Sequence, residues 1–363
     1  MKSLLCHIAL LVLLICSPFD AEATPPPVNL SDFLKEIDAL RIQARIPGLS
    51  VAVVKDQQLL VAAGLGYTNL EQKILAAADT PYDIASVTKP ISGVAAMQLV
   101  DAKQIDLDRP IAEYSDWRGF CEAFSQQPSI FAKDLSCEPA THTLRHLLTH
   151  TATQQPGTNF SYNPVLFSWA SRPIMAVVEQ SFSELVVQNV FTPTQMHQSA
   201  RTHRERPLPQ AMQRRLPSYY SLDNDGNAVL AAPGSPQGDG AAGGVHSTVV
   251  DLAKFDIALD RGELLSADAR QVMFSPTPLK NGTLAPYGIG WFIEDYQDHL
   301  LAWHSGWWEN RSSSLYIKVL DQDVSLIMLA NSEGIWWHNA LDKAEVARSA
   351  FAQVFFATFL STE

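Results

Sequence analysis

The chain has 363 residues, of which 47% are hydrophobic and 18% charged, enough apolar side chain for one large globular domain or two interleaved ones. That composition excludes a disordered chain. A net charge of −12 with no long basic run argues against nucleic acid or anionic lipid as a partner, because both need clustered Lys and Arg.

At the N-terminus, Lys2 precedes an apolar run from Leu4 to Ile15, and Ala21-Glu22-Ala23 fits the small-x-small rule for leader cleavage. The pattern predicts a Sec-type signal peptide over residues 1–23, cut between Ala23 and Thr24, and a mature domain over 24–363, periplasmic or extracellular. The apolar run is shorter than the roughly 20 residues needed to span a bilayer, so no stable membrane anchor is expected after cleavage. Lipid anchoring is not expected either, because a bulky Ile15 stands just before Cys16. Cys6 and Cys16 fall in the leader. Cys121 and Cys137 remain as one pair in an oxidising compartment, where a disulfide is expected against the alternative of two buried free thiols.

After the leader, Ser31 is expected to cap a helix carrying Phe33, Leu34, Ile37, Leu40 and Ile42 near a 3.6 period and ending at Pro47-Gly48. Leu49–Val54 and Leu59–Ala63 flank Lys55-Asp56-Gln57-Gln58 and predict a β-hairpin. A helix is expected from Ser86 to about Gln104, and helical and loop segments punctuated by Pro and Gly continue to about residue 285. Tyr287–Glu294, Leu300–Trp303, Ser313–Leu320 and Val324–Ala330 are strand-like runs rich in aromatic and β-branched residues. A final helix is expected from about Ala340 to Phe359. The order implies an α/β (α+β) fold: an antiparallel sheet built from both chain ends, about 30–85 plus 285–363, flanked by helices, with a mainly helical subdomain, about 86–284, inserted between them. Ligand sites commonly occupy such a crevice.

Ser86-Val87-Thr88-Lys89 is a Ser-x-x-Lys at the start of the helix that follows the first strands. Residues three apart share a helix face, so Lys89 can bring its amine to the Ser86 hydroxyl. A free serine is a weak nucleophile and needs a neighbouring base, or a lysine whose ammonium form is disfavoured by burial or other cations. Pro90 is compatible with a first turn, whose N–H groups lack intrahelical partners. A lone Ser-x-x-Lys reads as readily as an N-cap followed by an exposed lysine.

Four stretches in order carry more weight: Ile84-Ala85-Ser86-Val87-Thr88-Lys89, Leu144-Arg145-His146-Leu147-Leu148-Thr149-His150-Thr151, Gly243-Gly244-Val245-His246-Ser247-Thr248 and His304-Ser305-Gly306. Together they resemble the class C β-lactamase-like serine hydrolase family, which includes β-lactamases, D-amino-acid-specific peptidases and carboxylesterases, over about residues 30 to 335. The resemblance implies a β-lactamase/transpeptidase-like fold and an acyl-enzyme on Ser86, with no cofactor.

It also implies that Tyr162, in Pro156-Gly157-Thr158-Asn159-Phe160-Ser161-Tyr162-Asn163-Pro164, is a base or proton shuttle. That role requires Lys89 to favour the phenolate, since a phenol ordinarily titrates near 10. The family's asparagine two residues after the tyrosine is here Pro164. Either Asn163 swings into that role, or the substrate-amide contact is missing and the site takes substrates that do not need it; the second reading is adopted. His304-Ser305-Gly306 stands where β-lactamases usually carry Lys-Thr-Gly, on the strand expected to line the cleft. His304 is a candidate to polarise the cleft or relay a proton, and the Ser86 and Trp307 amides are candidates for the oxyanion hole. Asn163, Ser305, Gly306, Trp307 and Trp308 are the expected substrate-binding residues.

His142, His146 and His150 would share one face of a continuous helix and suggest zinc, but no nearby Cys or carboxylate offers a fourth ligand, and no metal is expected. Among Trp303, Trp307, Trp308, Trp336 and Trp337, the pair Trp307 and Trp308 is assigned to the pocket. The five arginines between Arg201 and Arg215 read as a solvated loop rather than an anion site. The expected function is an exported serine hydrolase cleaving a small ester, amide or peptide, with an ester or peptide-like amide preferred to a β-lactam. A D-alanyl peptidase or β-lactamase acting on cell-wall peptides, and a binding protein of the same fold without turnover, are the alternatives.

Overall fold

The computed structural model describes residues 29–360 apart from 233, 235–237 and 340–342, so the expected leader and its cleavage site lie outside the described residues. Helix α1 (Leu30–Gln43) starts before Ser31, because Asn29 takes the cap: its side chain accepts from the Asp32 amide at 3.3 Å and donates to the Asp32 carboxylate at 2.6 Å. β1 (Gly48–Lys55) and β2 (Gln58–Asn69) form the hairpin, joined by Asp56 and Gln57 at φ 50° and 57°, a two-residue turn whose twist suits the strands. β2 extends beyond Ala63 because its pairing continues to Gly66 opposite Gly48, and its end pairs with β3 (Ile74–Leu75).

A 3-10 turn occupies Ala85–Val87, and α2 (Thr88–Asp101) begins only after it. Its side chains are buried on all sides from Thr88 to Met97, as expected of a helix with no polar face. In the helical middle of the chain, α3 (Trp117–Ser125), α4 (Leu144–Leu148), α5 (Pro164–Trp169) and α6 (Val249–Asp260) matter for the site. Cys121 on α3 faces Cys137 with Cα atoms 5.7 Å apart, a separation that a disulfide spans.

The strand expected over Tyr287–Glu294 is shorter and later. β4 covers Phe292–Tyr296, since Gly290, at φ 83°, turns the chain against the Lys89 carbonyl, 2.6 Å from where a Cβ would stand. β5 (His299–Trp308), β6 (Ser312–Val319) and β7 (Val324–Ala330) follow. The final helix, α7, runs only from Ala350 to Phe359, where Ser349 caps it; a 3-10 turn over Val346–Arg348 stands in part of the stretch expected to be helical.

The sheet has the order β4-β5-β6-β7-β1-β2-β3, antiparallel throughout, so its centre joins β1 to β7 in register from Leu49 opposite Ala330 to Lys55 opposite Val324. Val51–Val54 of β1 and Leu326–Ala330 of β7 read as apolar runs because both faces of these strands are buried. α1 and α7 meet through Phe33 and Phe359, ring centroids 5.3 Å apart, and Tyr296 of β4 stacks on Phe356. α6 packs on the central strands. There Lys318 of β6 is buried between Asp256 and Asp260 of α6, at 2.6 and 2.8 Å, and Tyr316 donates to Asp256.

Candidate active site

Ser86 lies where the first strands hand over to α2. Ala85, just before it, is a non-glycine residue at φ 47°, a strained conformation of the kind found at functional turns. Four bonds hold the turn. The Ala85 amide and Trp308 Nε1 donate to the same Asp83 oxygen at 3.0 and 3.2 Å, Ser314 Oγ donates to the Ile84 carbonyl at 2.8 Å, and the Ile84 amide donates to Val245 O at 3.1 Å. The Gly243–Thr248 motif therefore supports the turn from behind.

Ser86 lies in the 3-10 turn and Lys89 in the first turn of α2, and side chains three apart along this helical stretch share a face, which brings Lys89 beside Ser86. Lys89 Nζ is 2.7 Å from Ser86 Oγ and 2.8 Å from Tyr162 Oη. The lysine is fully buried, with the rings of Tyr162 and Phe167 centred 5.0 and 5.4 Å from its nitrogen. Burial pushes its pKa well below the ordinary lysine value, toward the neutral amine.

Tyr162 moves the other way. Desolvation raises its phenol, outweighing the bond to Ser86, so the expected phenolate is not favoured and the residue keeps its proton. Its ring is wedged between His150, with centroids 4.2 Å apart, and Phe292, at 5.8 Å.

Asn163 does not face the cleft. Its Oδ1 caps α5 by accepting from Leu166 N at 3.0 Å, and its Nδ2 donates to Phe131 O at 2.7 Å, so both ends of the amide are committed. The expectation of Asn163 as a substrate contact is corrected on that ground. Pro164, the first residue of α5, lines the cleft instead.

His304 is fully buried. Its Nε2 lies 2.9 Å from Tyr287 Oη and its Nδ1 2.6 Å from Ser305 O, and burial together with Lys89 holds its pKa well down. It sits behind Tyr162, with ring centroids 6.0 Å apart, and does not line the cleft: the neutral imidazole packs behind the site rather than meeting substrate. At Gly306 an added Cβ would stand 2.4 Å from Ile84 O, 2.1 Å from Ser314 Oγ and 3.1 Å from the Ser86 amide, so only glycine lets β5 approach the turn that carries Ser86.

The cleft over Ser86 holds about 550 Å³ and is walled largely by Phe131, Tyr162, Pro164, Trp307, Trp308 and Trp336. Ser305 and Ala85 also reach it. Trp307 stacks on Trp336 at 4.2 Å and donates through Nε1 to Glu333 at 2.9 Å. Trp303 instead packs in the core on Phe292 and Trp337. The pocket roles of Trp336 and Phe131 and the bracing by Ser314 carry no motif signal, because each acts from a distant part of the chain; Asp83 is local, two residues before Ala85, but lies just outside the quoted motif.

The three histidines do not converge. α4 contains only His146, whose Nδ1 accepts from Thr143 N at 3.0 Å; His142 Nε2 meets Ala152 O at 2.9 Å, and His150 Nδ1 accepts from Asn163 N at 3.0 Å. Among the arginines, Arg201 contradicts the solvated-loop reading. It is buried, donates to Gly240 O at 2.7 Å and lies over the Phe182 ring at 5.0 Å.

A family model described as Beta-lactamase matches residues 31–350. The chain belongs to the Beta-lactamase family. Members of the Beta-lactamase family are generally serine hydrolases. Among curated relatives, Protein flp of Staphylococcus aureus (strain MW2) is 23% identical over 312 residues, which is 80% of this chain and 60% of that protein. The chain thus spans about 60% of the length of that relative. Solved structures that share the fold of this Beta-lactamase family chain include the following two. The octameric penicillin-binding protein homologue from Pyrococcus abyssi superposes with a TM-score of 0.71 at 21% identity, covering 84% of this chain and 74% of that one. The D-amino acid amidase from Ochrobactrum anthropi SV3 gives 0.65 at 20% identity, with coverage of 83% and 91%.

Proposed function

We propose that the protein is an exported serine hydrolase that cleaves ester or amide bonds through an acyl-enzyme on Ser86. The observation that carries this is the buried Lys89 amine, 2.7 Å from Ser86 Oγ and 2.8 Å from Tyr162 Oη. As a neutral amine, Lys89 accepts the Ser86 hydroxyl proton while Oγ attacks the substrate carbonyl. The amides of Ser86 and Trp307, on the two sides of the close approach at Gly306, are assigned to the oxyanion. Tyr162, which keeps its proton, gives it to the leaving oxygen or nitrogen and recovers one from Lys89. Water then takes the place of the leaving group, returns a proton along the same path and releases the acyl group, which restores Ser86.

An ester or an unencumbered amide is favoured as substrate, since Pro164 offers no donor where the family asparagine stands and Asn163 is fully engaged as a cap. The apolar cleft walls suit an apolar acyl or aryl group. Export is supported by the leader-like residues 1–23 and by the Cys121–Cys137 approach, which we take to be a disulfide. No helix among the described residues is long and apolar enough to cross a membrane.

The test is active-site labelling with a fluorophosphonate, alongside turnover of a nitrophenyl ester and a chromogenic cephalosporin. Labelling and ester turnover that vanish in Ser86→Ala are expected. Faster cephalosporin than ester turnover would replace the esterase reading with a β-lactamase one, and no labelling at all would leave a binding protein.

A further inference from the structure

The wall of the cleft over Ser86 is apolar, and its charge has one sign. Among the described residues that line it, the one charged side chain is Glu309, exposed at the rim directly after β5. Glu309 forms no ion pair with a described residue, and no described Lys, Arg or His lines the wall. Lys89 lies beneath Ser86, buried, and burial holds it toward the neutral amine. Arg204 and Arg311 belong to a separate space that shares Trp308 and Glu309 with the cleft, and the Arg311 guanidinium is held there over the Tyr219 ring, 4.5 Å from its centroid.

The rings beside Glu309 are fixed by their N–H groups. Trp307 Nε1 donates to Glu333 at 2.9 Å, an oxygen that also accepts from Asn310 N at 3.0 Å, and Trp308 Nε1 donates to Asp83 at 3.2 Å. Neither Glu333 nor Asp83 lines the cleft, so both indole N–H groups are committed outside it and the rings offer it carbon and π surface. Negative charge therefore stands at the bonded edge of each ring as well as at the rim. Trp307 gives one face to Trp336, centroids 4.2 Å apart. An indole face attracts a cation centred within about 6 Å, more strongly than any other side-chain ring. A primary ammonium would still need acceptors for its N–H groups, and burying it without them is costly. A trimethylammonium group has no N–H to satisfy and meets an apolar wall with methyl groups.

We propose that the cleft binds a quaternary ammonium group carried by the substrate, with the indoles of Trp307 and Trp308 as its contacts and Glu309 as its counter-ion. The substrate class becomes a hydrolysable ester or amide bearing a trimethylammonium group. This rests on the reading of Ser86 as the acylated nucleophile. The cation takes no part in bond making; it positions the substrate and lowers KM. The net charge of −12 draws such a substrate toward the protein.

The test compares nitrophenyl esters of straight-chain acids ending in trimethylammonium, in the neutral tert-butyl isostere or in a primary ammonium, at increasing chain length. Choline esters beside their tert-butyl isosteres put the same cation on the leaving group. In at least one series kcat/KM is expected to favour trimethylammonium over its isostere by about tenfold or more, through KM. Trp307→Leu and Glu309→Gln should each cut that ratio by about threefold or more, and Trp307→Phe should keep most of it. Both esters are read on one enzyme, so any loss of folded protein cancels from the ratio. No preference for the cation in either series, a primary ammonium favoured as strongly as trimethylammonium, or a ratio unmoved by both variants would overturn the proposal. A readout free of chemistry separates it from the nucleophile assignment. Ser86→Ala is titrated with choline and with dimethylbutanol, its neutral isostere, by calorimetry. Saturable choline binding, about tenfold tighter than that of the alcohol and lost in the Ser86→Ala, Trp307→Leu double variant, supports the cation site even if no ester is turned over. Equal binding of the two, or none, counts against it even if esters are.

Discussion

Replacing Gly306 by alanine tests the link between sheet packing and acylation. The new Cβ would lie 2.4 Å from Ile84 O, whereas real Cβ contacts begin at 3.0–3.4 Å, so β5 and the nucleophile turn must part by about 0.6–1.0 Å. Ile84 O is backbone and is already held by Ser314 Oγ at 2.8 Å, so no side-chain rotation relieves the contact. The displacement falls between the two amides assigned to the oxyanion, and oxyanion donors act at about 2.7–3.1 Å from that oxygen. A misplacement of about 1 Å costs about 10²-fold in rate, and overpacking costs about 1–3 kcal/mol of stability. Steady-state kinetics on a nitrophenyl ester should show kcat lowered about 100-fold with KM little changed, and thermal unfolding a lower Tm. Adding Ser314→Ala removes the 2.1 Å contact with Oγ but leaves the carbonyl, so it should recover some Tm and little kcat. A Gly306→Ala enzyme with kcat within threefold of the parent would refute the reasoning.

Three further expectations follow from the site and one from the Cys121–Cys137 pair. Lys89→Met should abolish acylation yet raise Tm. A lysine whose folded pKa lies below its unfolded value destabilises the fold most at low pH and ceases to do so as pH rises to the unfolded value, so the gain should be larger near about pH 6 than near about pH 9; a lower Tm at both pH values would contradict this. The parent's acylation rate should correspondingly fall as pH drops through the Lys89 pKa. Pro164→Asn should raise amide turnover relative to ester turnover by about five- to tenfold, the worth of one net hydrogen bond, and an unchanged ratio of the two kcat/KM values would remove Pro164 from the account of specificity. Cys121→Ser should lower stability by about 3 kcal/mol, as expected for opening a loop with a sequence separation of 16, and a parent protein fully alkylated without reduction would dispose of the bridge.

The candidate pair Ser86 and Lys89 was legible because it is local, whereas Tyr162 reaches Lys89 from 73 residues away. Ser86 and Lys89 are three apart, and a single turn sets their geometry whatever the remainder of the chain does. The central strands were legible for a related reason: burial on both faces writes apolar runs such as Val51–Val54 and Leu326–Ala330. Helix ends were less so. Asn29 and Ser31 are both competent caps, and the choice fell to Asn29, which bonds Asp32 through both ends of its amide. The late start of α7 has the same origin, since Ser349 supplies its cap and the preceding stretch is partly a 3-10 turn.

By itself the sequence singled out Ser86 and Lys89 as a candidate pair, and determined the antiparallel sheet drawn from both chain ends and the absence of a side-chain donor at Pro164. Tertiary structure alone decided the protonation and the partners. Burial, which no motif encodes, sets Lys89 toward the neutral amine and keeps the proton on Tyr162, reversing the roles that charge alone suggested. Competition for hydrogen bonds commits Asn163 to a cap and His304 to Tyr287, where neither meets substrate. Both depend on atoms brought together from distant parts of the chain, and desolvation and bond competition exist only once those atoms have met.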